Sequence, residues 1–170
     1  AGGSMPRPQI EQLRAAVPHA RIFIMYGQTE ATARLTYLAP EMLEQKLGSV
    51  GRALPGVEIE IRDADGACVP VGEIGEICAR GPNVMLGYWQ DPELTQHTLR
   101  GGWLHTGDLG HSDSDGYLYI DGRLVDMIKV GAFRVSPQEV EEVLAALPAV
   151  EEVAVTAIQD EMLGQAIKAV

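Results

Sequence analysis

Residues 57–81, VEIEIRDADGACVPVGEIGEICARG, decide the fold. Two β-rich runs, VEIEIRD and GEICARG, stand on either side of Asp65-Gly66. Asp-Gly pairs favour the positive φ that tight hairpin turns require. The same punctuation returns at Asp115-Gly116 and Asp121-Gly122 on either side of GYLYID. From about Gly48 to Gly122 the spacing therefore predicts a small antiparallel sheet or barrel.

The flanks have a different texture. Upstream, Ile10, Leu13 and Val17 recur at helical spacing before Pro18, and ARIFIMYG then reads as a buried strand ending on glycine, a helix-to-strand unit of an α/β sheet. Downstream, in RVSPQEVEEVLAALPAV, Ser136 is placed to cap a helix, Pro137 suits its first position and Glu139 completes a capping box. Val140, Val143, Leu144 and Leu147 form its apolar face, and EEVAVTAI reads as a strand after it. The fold class is α+β with α/β elements: the end of an α/β region over 1–47, a β-barrel over 48–124, and a partial α+β domain over 125–170.

At 170 residues and 46% hydrophobic, the chain can bury a core. Its 13 basic and 24 acidic residues give a net charge of −11, which argues against a nucleic-acid or anionic-membrane binder. Any phosphate ligand must be held locally or through a cation. With no apolar run long enough for a signal peptide or a membrane span, the sequence reads as soluble and cytoplasmic. Cys68 and Cys78 match no metal-ligand spacing and read as reduced, partly buried thiols in strand-like segments.

Three stretches carry chemistry. In YGQTE, Gly27 ends a strand where a ligand can approach the backbone. Thr29 offers a hydroxyl to a phosphate oxygen, Glu30 an oxygen to Mg²⁺, and Tyr26 a flat face for a base. The same letters also suit a helix start with Thr29 as cap and Glu30 favoured by the dipole. In GGWLHTGDLG, Asp108 can accept hydrogen bonds from paired hydroxyls such as those of ribose, or simply occupy a Gly-Asp turn. Arg123, after an Asp-Gly pair, and Lys129, in an apolar run, supply cations or sit solvated on a hairpin. His105, His111, Asp113 and Asp115 suggest a metal cluster, but HSDSDG lacks the first and last acidic ligands of a calcium loop, so they are left unassigned. Trp89 and Trp103 read as barrel packing.

Seven segments in order, AGGSMP, YGQTE, GSVGRALPGVEI, GEIGEICARGPNVMLGYW, WLHTGDLG, GRLVDMIK and FRVSPQEVEEVL, closely resemble the motifs of the AMP-forming acyl-CoA synthetase, adenylation-domain and firefly-luciferase superfamily. The resemblance covers nearly the whole chain. It implies that Gly3 and Ser4 line the junction of the adenine and acyl pockets, that Tyr26 lies against adenine beside Gly27, that Thr29 touches the α-phosphate and that Glu30 binds Mg²⁺. It places Asp108 on the ribose hydroxyls with Ile120 and Arg123 close by, Lys129 near the site during thiol transfer, and residues 31–35 at the acyl pocket. The implied cofactors are ATP/AMP, Mg²⁺ and coenzyme A, and the implied partner is a small-molecule carboxylic acid.

The departures are equally specific. The family's phosphate loop and its C-terminal adenylation lysine are absent from this sequence, and Lys168 stands in the wrong context to replace the latter. The resemblance thus implies a fragment of a carboxylate-CoA ligase, inefficient alone, that works with the rest of a parent chain and whose exposed strand edges favour self-association. The alternatives are an adenylation domain that loads a carrier-protein thiol and a non-catalytic interaction module. The family's hinge position is occupied by Val125, followed by Asp126, and the glycine expected beside the thiol tunnel is Ala132, with Gly131 before it.

Overall fold

The computed structural model describes residues 7–160 and 162–170. They fall into two compact units, one reaching to Thr106 and taking in Gly110–Ile120, the other made of Gly107–Leu109 and Asp121–Val170. No helix of the described residues is long and apolar enough to cross a membrane.

In the first unit, helix α1 (Arg7–Ala16) leads to strand β1 (Ile24–Tyr26), which pairs antiparallel with β2 (Thr36–Leu38), itself paired with β3 (Arg52–Ala53). The predicted helix-then-strand order is present, but the strand is shorter than ARIFIMYG and less buried. Among the described residues β1 is an edge with β2 as its one neighbour in the sheet, and Phe23 and Met25 are exposed. Of the helix face, Ile10 alone is buried, in a cluster with Leu38, Leu43 and Tyr117.

The barrel predicted from residues 57–81 is built on β4 (Glu58–Arg62), β5 (Gly75–Arg80), β6 (Leu99–Arg100), β7 (Trp103–Ser112) and β8 (Leu118–Arg123). The order is β4-β5-β7-β6, with β8 also on β7. Helix α2 (Pro92–Thr98) precedes β6, capped by Asp91, whose carboxylate accepts from the Leu94 amide at 2.9 Å. Alternation sets the two faces of β4 and β5: Ile59, Ile61, Ile77 and Ala79 point to the core clusters, while Glu58, Glu60, Glu76, Cys78 and Arg80 occupy the outer face. On that outer face Arg80 bonds Glu58, Arg62 bonds Glu60, and both guanidiniums lie over the Trp103 ring at 4.6 and 4.7 Å. Trp103 is buried as expected; Trp89, at 89% exposed, is not barrel packing. Cys78 is buried in β5, whereas Cys68 is exposed outside any strand, in a segment whose one β-bridge to β4, among the described residues, is at Arg62.

Two of the three Asp-Gly turns form, each braced by an upstream aspartate. Asp63 Oδ1 accepts from the amides of Asp65 and Ala67, and Asp113 Oδ1 from those of Asp115 and Tyr117, all at 2.9 Å. Asp121-Gly122 is not a turn but the end of β8. Gly122 is required there for another reason: at φ +149° any Cβ would lie 2.8 Å from Ser136 Oγ.

In the second unit β9 (Ile128–Val130) and β10 (Phe133–Val135) form a hairpin, followed by α3 (Pro137–Ala145), β11 (Val155–Asp160) and β12 (Gly164–Ala169). The sheet order is β10-β9-β12-β11, with six residue pairs between β11 and β12. Ser136 stands at the N-cap of α3 as expected, yet its side chain makes no capping bond, and its buried Oγ has no hydrogen-bond partner among the described residues. Packing beneath Gly122 takes the hydroxyl out of its capping role. The predicted apolar face of α3 is also only partly covered: Val143 is 66% and Leu147 51% exposed.

Candidate functional site

The YGQTE segment folds as a single turn of 3-10 helix, Thr29–Ala31, after β1. The N-cap is Gln28, without a side-chain bond, so Thr29 is not the cap. The turn closes through Ala31 N to Gln28 O at 3.0 Å and Ala33 N to Gln28 O at 2.9 Å. Thr32 and Ala33 then take φ values of 54° and 64°, the left-handed region that residues with a Cβ adopt only when the surroundings impose it. Gly27 is explained by this tightness: a Cβ would fall 2.6 Å from Ala33 O and the Arg34 backbone. The chain itself, rather than a ligand, closes on that glycine.

Residues 83–88 impose the strained turn. Asn83 Nδ2 donates to the carbonyls of Ala31 (3.2 Å) and Arg34 (2.8 Å), the Thr32 hydroxyl donates to Asn83 O at 2.8 Å, and the Met85 amide donates to Glu30 O at 2.8 Å. Ala31 and Leu35, both fully buried, anchor the turn from below against Ala79, Leu104 and Tyr26. Of the residues expected at an acyl pocket, Ala31 and Leu35 are therefore core, and Thr32, Ala33 and Arg34 are exposed.

Glu30 points its carboxylate at Tyr88, whose hydroxyl donates to Oε1 at 2.6 Å. That bond, with burial second, pushes the Tyr88 phenol above its ordinary range. Tyr88 is in turn tied down by its own amide, which donates to Thr95 Oγ1 at 2.8 Å. Among the described residues, Tyr88 is the partner of the Glu30 carboxylate, so one oxygen is oriented and the other is available to a hard cation. The donor set fits Mg²⁺.

The second unit holds the other half of the expected chemistry. Asp108 is 6% exposed on β7 and accepts from Arg123 Nε at 2.9 Å. Arg123 itself is exposed, and next to it the Leu124 amide donates to Gly107 O at 2.8 Å, which fixes the register of the pair. Lys129 is exposed on β9, its amide bonded to Gln165 Oε1 at 2.7 Å. Val125 is 83% exposed in the turn after β8, and Gly131 and Ala132 make the exposed β9–β10 turn. Ile120, on β8 in the first unit, packs against Ile61, Ile77 and Leu118. Gly3 and Ser4 lie outside the described residues.

The left-aside acidic and histidine residues do not converge. Lys46 Nζ sits between Asp113 and Asp115 at 2.7 and 2.6 Å, which pushes the ammonium above its usual range. Burial pushes the Asp113 carboxyl up, but Lys46 and the Tyr117 and Asp115 amides outweigh it and hold the group below its ordinary value. His111 stacks on Tyr119, ring centres 5.1 Å apart. His105 instead faces Glu76 and Cys78.

Sequence reasoning missed Tyr88 and Asn83. Tyr88 meets Glu30 from 58 residues away and Asn83 meets Arg34 from 49, distances over which no periodicity speaks.

With this geometry in place, comparison with known proteins is direct. Residues 1–89 match the AMP-binding enzyme family. The chain is 44% identical over 165 residues, 96% of its length, to the 2-succinylbenzoate–CoA ligase of Geobacillus kaustophilus, and 47% identical over 146 residues, 85% of its length, to the medium/long-chain-fatty-acid–CoA ligase FadD8 of Mycobacterium tuberculosis. It covers 33% and 26% of those proteins, respectively. It superposes on the o-succinylbenzoate CoA synthetase MenE of Bacillus subtilis in complex with the acyl-adenylate intermediate OSB-AMP (TM-score 0.89) and with ATP and magnesium ion (0.87). In both cases the identity is 39%, and 99% of this chain and 34% of that one are covered. The chain belongs to the family of AMP-binding enzymes, and it spans about a third of the length of the curated relatives it matches.

Proposed function

We propose that this chain carries part of the active site of an ATP-dependent, AMP-forming carboxylate–CoA ligase. In that reaction a carboxylate oxygen attacks the α-phosphorus of ATP, pyrophosphate leaves, and the thiol of coenzyme A then displaces AMP from the acyl-adenylate. The observation that carries the reading is Glu30, held by Tyr88 at 2.6 Å on a turn too strained to persist without its braces. That bond engages one carboxylate oxygen and leaves the other for a cation.

In this reading Glu30 would hold Mg²⁺, whose charge would offset that of the triphosphate that an acidic chain otherwise repels. The Thr29 hydroxyl, exposed beside it, donates to an α-phosphate oxygen, and Tyr26 presents its ring to adenine. Asp108 accepts from the ribose hydroxyls, oriented by Arg123. Lys129, exposed on β9, serves the thiol-transfer step, with residues 125–170 forming the start of a domain that moves about Val125. Catalysis here is chiefly positioning and charge compensation. The cytoplasm, where ATP and coenzyme A are held, is the compartment this chemistry requires.

The test is carboxylate-dependent exchange of labelled pyrophosphate into ATP, run on this chain and on its whole reading frame over fatty and aryl acids. Exchange in the whole frame, reduced on the order of 100-fold by Glu30→Gln, is the expected result. Exchange in neither protein, or exchange untouched by Glu30→Gln, overturns the reading.

A further inference from the structure

On the outer face of the barrel, three unlike side chains converge. Glu76 and Cys78 alternate on β5, and His105 stands on the adjoining strand β7. His105 Nδ1 lies 2.7 Å from Glu76 Oε2 and 3.4 Å from Cys78 Sγ, and the three ligand atoms lie within 4.8 Å of one another. None of the three residues takes part in the chemistry proposed above.

A cysteine–histidine–carboxylate trio invites comparison with a nucleophile and its base. The geometry rejects that reading, because a relay uses both ring nitrogens, one toward the nucleophile and the other toward the carboxylate. Here a single nitrogen, Nδ1, faces both partners. One nitrogen close to both a sulfur and an oxygen is instead how ligands stand around a common ion. With zinc–ligand bonds of about 2.0–2.3 Å, tetrahedral ligands lie roughly 3.3–3.6 Å apart. The sulfur–nitrogen distance of 3.4 Å already falls in that interval, and the nitrogen–oxygen hydrogen bond of 2.7 Å must open by only about 0.6 Å.

We infer that Glu76, Cys78 and His105 form a binding site for a zinc-class divalent cation. The site has an entry path: Cys78 is fully buried at its base, while the Glu76 and His105 side chains, 15% and 10% exposed, reach solvent at its rim. The charges fit, since a carboxylate and a thiolate together balance a dication. The ligand set also separates this ion from the one proposed at Glu30, because thiolate and imidazole select zinc and its neighbours, whereas magnesium takes oxygen. Binding releases the Cys78 thiol proton to solvent and stitches β5 to β7. One competing contact, Arg100 Nη2 to Glu76 at 3.4 Å, is long and half exposed, so it yields readily.

Cobalt(II) titration of the Cys68→Ser chain is the direct test, because Cys78 is then its sole thiol. The expected result is one cobalt per chain with a thiolate-to-cobalt charge-transfer band in the near ultraviolet, bleached by stoichiometric zinc. His105→Gln and Glu76→Gln, both at the rim, should each weaken uptake by on the order of 100-fold with the far-ultraviolet circular dichroism unchanged. Absence of the band in Cys68→Ser, or uptake unaffected by both rim variants, overturns the site. A failed ligase assay leaves this readout untouched, so the two proposals stand or fall separately.

Discussion

The two units solve the same problem with different means. The first buries Leu35, Leu38, Ile77, Ala79 and Leu104 almost completely, and its outer face is crossed by Arg62–Glu60 and Arg80–Glu58 pairs that roof Trp103. The second has Leu109, Ile128 and Val155 as its buried apolar residues among those described, and its helix α3 contains none. Strand pairing, with six rungs between β11 and β12, replaces a core there. Where apolar area is removed from water, position is held by packing and strain can be stored; where it is not, the backbone ladder alone sets the shape. The strained Thr32–Ala33 turn accordingly lies on the well-packed unit.

The largest expected difference comes from cutting one apolar side chain in each. Leu104→Ala should cost about 3 kcal/mol, and Val143→Ala on exposed α3 less than about 0.5 kcal/mol. Urea denaturation followed by the fluorescence of buried Trp103 reads the first, and hydrogen exchange of α3 the second. Equal losses would erase the contrast.

Gly122→Ala comes next, at about 2 kcal/mol, because it adds a Cβ 2.8 Å from Ser136 Oγ at a φ of +149°. Ser136→Ala should be nearly neutral, since its hydroxyl caps nothing, and the double variant should recover part of the loss in the same denaturation experiment. A Ser136→Ala cost as large as that of Gly122→Ala would restore the capping role.

Tyr88→Phe removes the donor that aims Glu30 and leaves the fold in place. The Mg²⁺ concentration for half-maximal pyrophosphate exchange should rise by about 10-fold, with a smaller effect at saturating metal. An unchanged metal dependence would reduce Tyr88 to packing.

The smallest effect is electrostatic. Asp113 is held below its ordinary pKa, so its pairing with Lys46 is present above about pH 4 and is lost as pH falls through the folded value. Asp113→Asn should lower stability slightly at pH 7 and flatten its fall below pH 4, measured by thermal unfolding across pH. A parallel fall in both proteins would place the acid sensitivity elsewhere.

Much of this was legible locally. VEIEIRD and GEICARG pair as β4 and β5, as their alternation predicts, while the Asp65-Gly66 turn between them folds the chain back onto β4 at Cys68. The order of elements, the helix behind Pro137 and the grouping of Tyr26, Gly27, Thr29 and Glu30 on one turn follow from the same short-range signals. Two of the misreadings share one cause. Asp121-Gly122 and Ser136 each carry a correct local signature, as turn and as cap, and each is overruled by the other's proximity across 14 residues.

The sequence by itself thus determined most of the element types and the acidic balance, since these depend on residue type and near neighbours. Only the tertiary structure decided that Tyr88 aims Glu30, that Asn83 holds the strained turn, and that Glu76, Cys78 and His105 face one another. Those contacts join residues 27 to 58 positions apart, and chain closure over such spans is decided by the packing of the whole barrel.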